Sequence, residues 1–125
     1  MLNAAYSPHG QLLAAASQYF GVFLWDMTLS DPDGKREILE APGVGLVFSP
    51  DGRTMFTGGA SGDYTVKIWD LATHEQRFAL AGHGSIVGDV LVTQDESILV
   101  SADWYGTVRA WRAPRGGVQQ SDATY

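Results

Sequence analysis

Phe48-Ser49-Pro50-Asp51-Gly52, followed by Thr65-Val66-Lys67-Ile68-Trp69-Asp70, is the stretch on which the fold of this chain turns. Its first half is a turn with a mechanism: Pro presets φ, Asp bonds its own backbone and Gly accepts positive φ. Its second half alternates apolar with basic residues, as a half-buried strand does. Both halves recur. Trp25-Asp26, Trp69-Asp70 and a weakened Trp111-Arg112 stand 44 and 42 residues apart. Ser7-Pro8-His9-Gly10, Ser49-Pro50-Asp51-Gly52 and a degraded Thr93-Gln94-Asp95-Glu96 follow at steps of 42 and 44. Turn and Trp are 15 residues apart in the first and third units and 17 in the second, and the surplus is placed in Gly58-Gly59-Ala60-Ser61-Gly62. One period kept by two independent markers is the signature of a repeat architecture.

Within each unit the local signals are those of strands. Leu12-Leu13-Ala14-Ala15, Thr54-Met55-Phe56-Thr57 and Ile98-Leu99-Val100-Ser101 are short apolar runs after a turn. Val22-Phe23-Leu24-Trp25, Val66-Lys67-Ile68-Trp69 and Val108-Arg109-Ala110-Trp111 supply the next strand. Ser30-Asp31-Pro32-Asp33-Gly34 and Ala72-Thr73-His74-Glu75 read as hairpin turns into a fourth strand at Glu37-Ile38-Leu39 and Arg77-Phe78-Ala79-Leu80. No stretch keeps helical spacing over ten residues. The expectation is an all-β chain of three four-stranded antiparallel units at 1–44, 45–84 and 85–112, the last incomplete, with a flexible tail at 113–125.

Composition narrows the function. With 125 residues, 45% hydrophobic and 18% charged, the chain is globular and too short for two large domains. A net charge of −6 repels phosphate backbones, so nucleic acid is not an expected partner. The lack of Cys removes disulfides, thiolate nucleophiles and zinc–thiolate sites. No basic residue precedes the apolar start, as a signal peptide would require, and no apolar run approaches a membrane span. A soluble, cytoplasmic protein without a membrane partner is the expectation.

These residues resemble the WD-repeat β-propeller family. The turn and strand quoted first, Gly82-His83 and Gly106-Thr107-Val108-Arg109-Ala110-Trp111 carry the resemblance, which runs from residue 4 to about 112. It implies four-stranded blades set radially around a channel. It also implies a buried network joining a Gly-His histidine, a Ser or Thr of the second strand, an Asp of the next turn and the Trp. Carried over, the third unit keeps His83, Ser101 and Trp111, with Tyr105 where Asp is usual. The second keeps Thr57, Asp63 and Trp69 but has no His, and the first keeps only Trp25, with Ala15 and Tyr19 at the other positions. Three blades are too few to close a ring, since propellers have four or more. Either the chain is part of a longer propeller, or it closes by assembly with further blades, a homo-oligomer among the options.

No catalytic or metal-binding set and no cofactor is expected. His83, Ser101 and Asp103 have the residue types of a nucleophile constellation, but His83 and Ser101 sit at structural positions of the resemblance. Leu29, Asp31, Asp33, Gly34 and Glu40 approach a calcium loop, but position one is Leu and no helices flank it. The Gly-rich stretches open no helix, as a phosphate cradle must. His9, His74 and His83 fall in different loops. One feature exceeds the scaffold: the loop after the second strand is aromatic in every unit, with Tyr19-Phe20, Tyr64 and Trp104-Tyr105. Turns favour Asp, Asn and Gly, whereas Tyr and Trp dominate interface hot spots. These residues, with Asp89 as a polar rim, form the expected surface for a protein partner; Tyr105 and Tyr19 lean toward packing, Trp104 and Tyr64 toward docking. The expected function is a non-catalytic interaction scaffold. The alternatives are a C-terminal regulatory segment of a larger signalling enzyme such as a kinase, and a small-molecule or sugar-binding propeller.

Overall fold

The computed structural model describes residues 2–17, 21–27, 37–39, 43–60, 62–112, 119–121 and 123–124. Among them the chain is all β, with three antiparallel sheets in chain order and no helix. The first holds β1 (Leu2–Tyr6), β2 (Leu12–Ser17), β3 (Gly21–Asp26) and β4 (Glu37–Leu39). The second holds β5 (Gly43–Phe48), β6 (Thr54–Gly59), β7 (Val66–Asp70) and β8 (Glu75–Leu80). The third holds β9 (Val87–Val92), β10 (Ile98–Asp103) and β11 (Val108–Arg112), with β12 (Gln119–Ser121) and β13 (Ala123–Thr124) both paired to β11. Of the tail, the described residues 119–121 and 123–124 lie beside β11 at the outer position of the third sheet. The near-calcium loop at 29–40 lies outside the described residues apart from the strand β4.

Register shows how closely the sheets repeat. Leu13 faces Trp25, Met55 faces Trp69 and Leu99 faces Trp111. The surplus residues of the second sheet fall between Gly58 and Val66, the last pair of β6 and β7, as the spacing predicts. β5 and β9 each carry a register shift near the same end, between the pairs Gly43–Gly59 and Leu46–Thr57 in one and between Val87–Asp103 and Asp89–Ala102 in the other.

The turns repeat more faithfully than their sequences. In the second sheet the Gly52 N–H donates to the Ser49 carbonyl (2.9 Å), and Ser49 Oγ donates to Asp51 (2.6 Å) while accepting the Thr54 N–H (3.1 Å). In the degraded turn of the third, the Glu96 N–H donates to the Thr93 carbonyl (2.9 Å), and Thr93 Oγ1 donates to Asp95 (2.7 Å) and accepts the Ile98 N–H (3.1 Å). Hydrogen bonds from Ser97 and Thr93 hold the Asp95 carboxyl down to about 2. The cost of the degradation lies in the backbone. Glu96 has φ 62 where Gly10 and Gly52 have 70 and 75. Left-handed backbone costs a non-Gly residue roughly 1–2 kcal/mol, part of which Gly forfeits as chain entropy. Glu96→Gly is therefore expected to stabilise by about 0.5–1 kcal/mol, read as a higher urea midpoint; a lower midpoint would contradict the turn geometry.

The sheets join through two apolar clusters. Ala14, Ala16, Val22 and Leu24 of the first pack with Phe48, Met55 and Trp69 of the second. Phe56, Val66 and Ile68 of the second pack with Val87, Leu99 and Trp111 of the third. The inner strands approach closely: a Cβ on Gly58 would stand 2.2 Å from the Val87 carbonyl oxygen. That glycine is required by contact between sheets and not by its φ.

Candidate functional site

Strand alternation places 62–65, 81–86 and 104–107 at one end of the stack and the Ser-Pro-Asp-Gly-type turns at the other. The loops at the first end are tied together, since the Trp104 N–H donates to the Ile86 carbonyl (3.0 Å). Both the Trp-centred polar groups and the aromatic loops belong to this end.

The third sheet holds a complete network. His83 Nδ1 lies 2.8 Å from Asp103 Oδ2, His83 Nε2 lies 2.6 Å from Ser101 Oγ, and the Trp111 indole N–H donates to the same Oγ at 2.8 Å. The tautomer follows from donor counting. An ionised Asp103 has no proton to give, so Nδ1–H donates to it and Nε2 accepts the Ser101 O–H. The resemblance looked for the carboxylate at Tyr105, but Asp103 supplies it. The signal was present in the sequence: residues two apart on a strand share a face, so Asp103 lies on the side of β10 that carries Ser101. Burial works to raise the Asp103 carboxyl. The His83 hydrogen bond and the backbone N–H groups of Thr107 and Tyr105 outweigh it and hold the group below its ordinary value. The arrangement imitates a nucleophile constellation, yet Ser101 is 0% exposed and its oxygen is occupied by the indole. Nothing in that geometry admits a substrate.

The second sheet splits the same set in two. Trp69 donates to Thr57 Oγ1 at 3.0 Å, in the buried part. Asp63 does not join them. Its exposed carboxylate accepts from Lys67 Nζ (2.6 Å) and Thr65 Oγ1 (2.8 Å). In the first sheet Ala15 faces Phe23 in the register that Thr57 and Ser101 occupy, so no hydroxyl stands there for Trp25. Trp25 instead packs its ring against Phe23, centroids 6.1 Å apart.

The aromatic loops are partly as expected. Tyr19 and Phe20 lie outside the described residues. Tyr64 is half-buried, and Asp89 is exposed on β9 opposite Ala102. Trp104 is 52% exposed, its indole edge resting where a Cβ on Gly88 would stand 2.7 Å from Nε1. Tyr105, which leaned toward packing, is 80% exposed. The reason is the relocated carboxylate: Asp103 takes the buried position and leaves Tyr105 outside. Asp103 also fixes the loop, its Oδ1 accepting the backbone N–H of Tyr105 (2.9 Å) and of Thr107 (3.0 Å).

At the opposite end an open groove of about 750 Å³ runs over Leu12, Phe56, Trp69, Leu71 and Phe78. Its Arg77 and Asp70 pair with each other at 2.8 Å. Among the described residues no cluster of His, Asp and Glu is placed to hold a metal ion, and no helix is long and apolar enough to cross a membrane.

The family model "WD domain, G-beta repeat" matches residues 37–70 and 74–112, more than half of the chain. Each matched segment takes the last strand of one sheet and the first three of the next. The chain is similar to guanine nucleotide-binding protein subunit beta-2 of Caenorhabditis elegans, 29% identical over 85% of this chain and 29% of that protein. It is also similar to the U3 snoRNP-associated protein-like EMB2271 of Arabidopsis thaliana, 36% identical over 56% of this chain and 14% of that one. The chain thus spans less than a third of either relative.

Proposed function

The chain belongs to the WD40 repeat family, and on that premise we propose that it is a non-catalytic scaffold whose 104–107 loop docks a protein partner. The observation that carries this reading is the pair Trp104 and Tyr105, exposed on a loop whose backbone is pinned by a buried carboxylate. Aromatic rings held in place lose little freedom on binding, so more of their burial appears as affinity. Asp89 and the half-buried Tyr64 form the rim. The two relatives are by name a subunit and a particle-associated protein, which accords with work inside an assembly. The charge of −6 favours a protein over nucleic acid as partner, and action in the cytoplasm is part of the same reading. The groove at the other end offers polar groups already paired to one another, so a small-molecule site is the weaker reading.

The test is a photo-crosslinking residue placed at Tyr105 and, as control, at His9 on the opposite end. The same protein should be captured at 105 and not at 9. Trp104→Ala is expected to weaken that capture at least tenfold with the unfolding midpoint unmoved. Capture unchanged by Trp104→Ala, or equal at both positions, would remove the loop from the interface.

A further inference from the structure

We propose that Arg109 is the receptor for a carboxylate side chain of the protein partner, beside the exposed rings of Trp104 and Tyr105. The inference deepens the docking reading above and rests on it. The second sheet contains the template. There Lys67 Nζ donates to Asp63 Oδ2 (2.6 Å) and to Thr65 Oγ1 (2.9 Å), and Thr65 Oγ1 donates to Asp63 Oδ1 (2.8 Å). The third sheet repeats two of these three members. Arg109 stands opposite Ser101 as Lys67 stands opposite Thr57. Thr107 and Thr65 lie two residues earlier, their carbonyls accepting the N–H of Asp103 (3.0 Å) and of Gly59 (2.8 Å). The third member, four residues before the cation, is Asp63 in the second sheet and Tyr105 in the third.

Arg109 is thereby a cation without its anion. Among the described residues its guanidinium has no hydrogen-bond or ion-pair partner, and Nε is buried with no acceptor. Supply is not the reason, since acidic residues outnumber basic ones, 14 to 8. The carboxylate of its own loop, Asp103, is committed to His83 and to the N–H groups of Tyr105 and Thr107. The guanidinium is also seated. It lies over the bare backbone of Gly82, where an added Cβ would stand 2.8 Å from Nε and 2.9 Å from Cζ. Gly82 belongs to the 81–86 loop, which the Trp104 N–H ties to 104–107 through Ile86. The charge and the exposed aromatics therefore share one end of the stack. In the template the carboxylate is the outer member, its side chain 53% exposed against 8% for Lys67. With Tyr105 turned outward, the corresponding place in the third sheet can be filled from solvent. The planar fork of Arg takes an arriving carboxylate through two parallel N–H···O bonds, which the point charge of Lys does not.

The test selects binders of the full chain from a phage-displayed library of random linear peptides. The selected peptides are expected to share an Asp or Glu, and exchanging it for Asn or Gln should weaken binding about tenfold or more. Arg109→Gln should reproduce that loss. Two variants at the exposed Tyr105 give the same answer without touching a buried atom. Tyr105→Asp restores the internal carboxylate and should abolish the preference for the acidic peptide over its amide counterpart. Tyr105→Asn, equal in size and uncharged, should retain that preference. The same preference in both Tyr105 variants would overturn the inference. Binding lost with Trp104→Ala but indifferent to Arg109→Gln would remove the carboxylate and leave the docking loop standing. Peptides indifferent to both changes, or no peptide selected, would remove both readings. Tighter binding of a peptide with phosphoserine at the acidic position would reassign the site to phosphate.

Discussion

Trp111→Ala is expected to lower the unfolding free energy by about 3–5 kcal/mol, the usual cost of emptying a buried large side chain. The indole is 0% exposed and lies in the cluster that joins the second and third sheets, among Phe56, Ile68, Val90 and Leu99. Removing it leaves a cavity that paired strands on both sides cannot collapse to fill. It also takes from Ser101 the donor that fixes its oxygen at 2.8 Å. Trp69→Ala should fall in the same range, since that ring occupies the corresponding place between the first and second sheets. Trp111→Phe separates the two contributions: most of the packing survives, and the lost hydrogen bond leaves a smaller loss of about 1 kcal/mol. Urea denaturation followed by far-ultraviolet circular dichroism gives all three values. A cost below 1 kcal/mol for Trp111→Ala would mean that the sheet is not organised around that ring.

Asp103→Ala is expected to cost about 2–4 kcal/mol through unsatisfied donors rather than lost volume. It strands the His83 Nδ1–H and the backbone N–H groups of Tyr105 and Thr107, all of which now end on one carboxylate. The same residue gives a pH test with a definite sign. Its folded carboxyl lies below the ordinary value near 3.8. A depressed carboxyl contributes stability that is fully present above its unfolded value and is lost as pH falls through the folded one. Wild type should therefore lose stability on acidification below about pH 4. Other carboxylates with lowered values, Asp51 and Asp63 among them, share in that loss, so the informative quantity is a difference. Asp103→Asn keeps the shape without the ionisation, and the gap between wild type and this variant should narrow from pH 7 to pH 3. A constant gap would show that the carboxylate charge does not matter to the network.

The sheets were legible in the sequence because two markers with local causes, a turn and a buried ring, kept one period. Even the surplus of the second unit could be placed between Gly58 and Gly62 by spacing alone. What escaped depended on direction and not on residue type. Asp103 was visible as a carboxylate, but the resemblance put the carboxylate of the network at position 105; alternation along β10 places Asp103 on the right face two residues earlier. Tyr105 was then misread by the same step, because the buried place reserved for it was already filled. Thr93-Gln94-Asp95-Glu96 looked like a decayed turn, yet its hydroxyl and carboxylate kept every hydrogen bond, and only φ at Glu96 records the change. The strands β12 and β13 were missed because Gly, Gln and Ser carry little strand signal, and their pairing depends on the free edge that β11 offers.

The sequence repeat and the sheet are offset by one strand, each matched segment beginning with the outermost strand of the sheet before it. Copying such a segment during evolution would not add a self-sufficient module. The newcomer would lend its leading strand backward and borrow another from its successor, like shingles laid half over one another. An array built this way can lengthen by tandem duplication without opening a seam at the point of insertion.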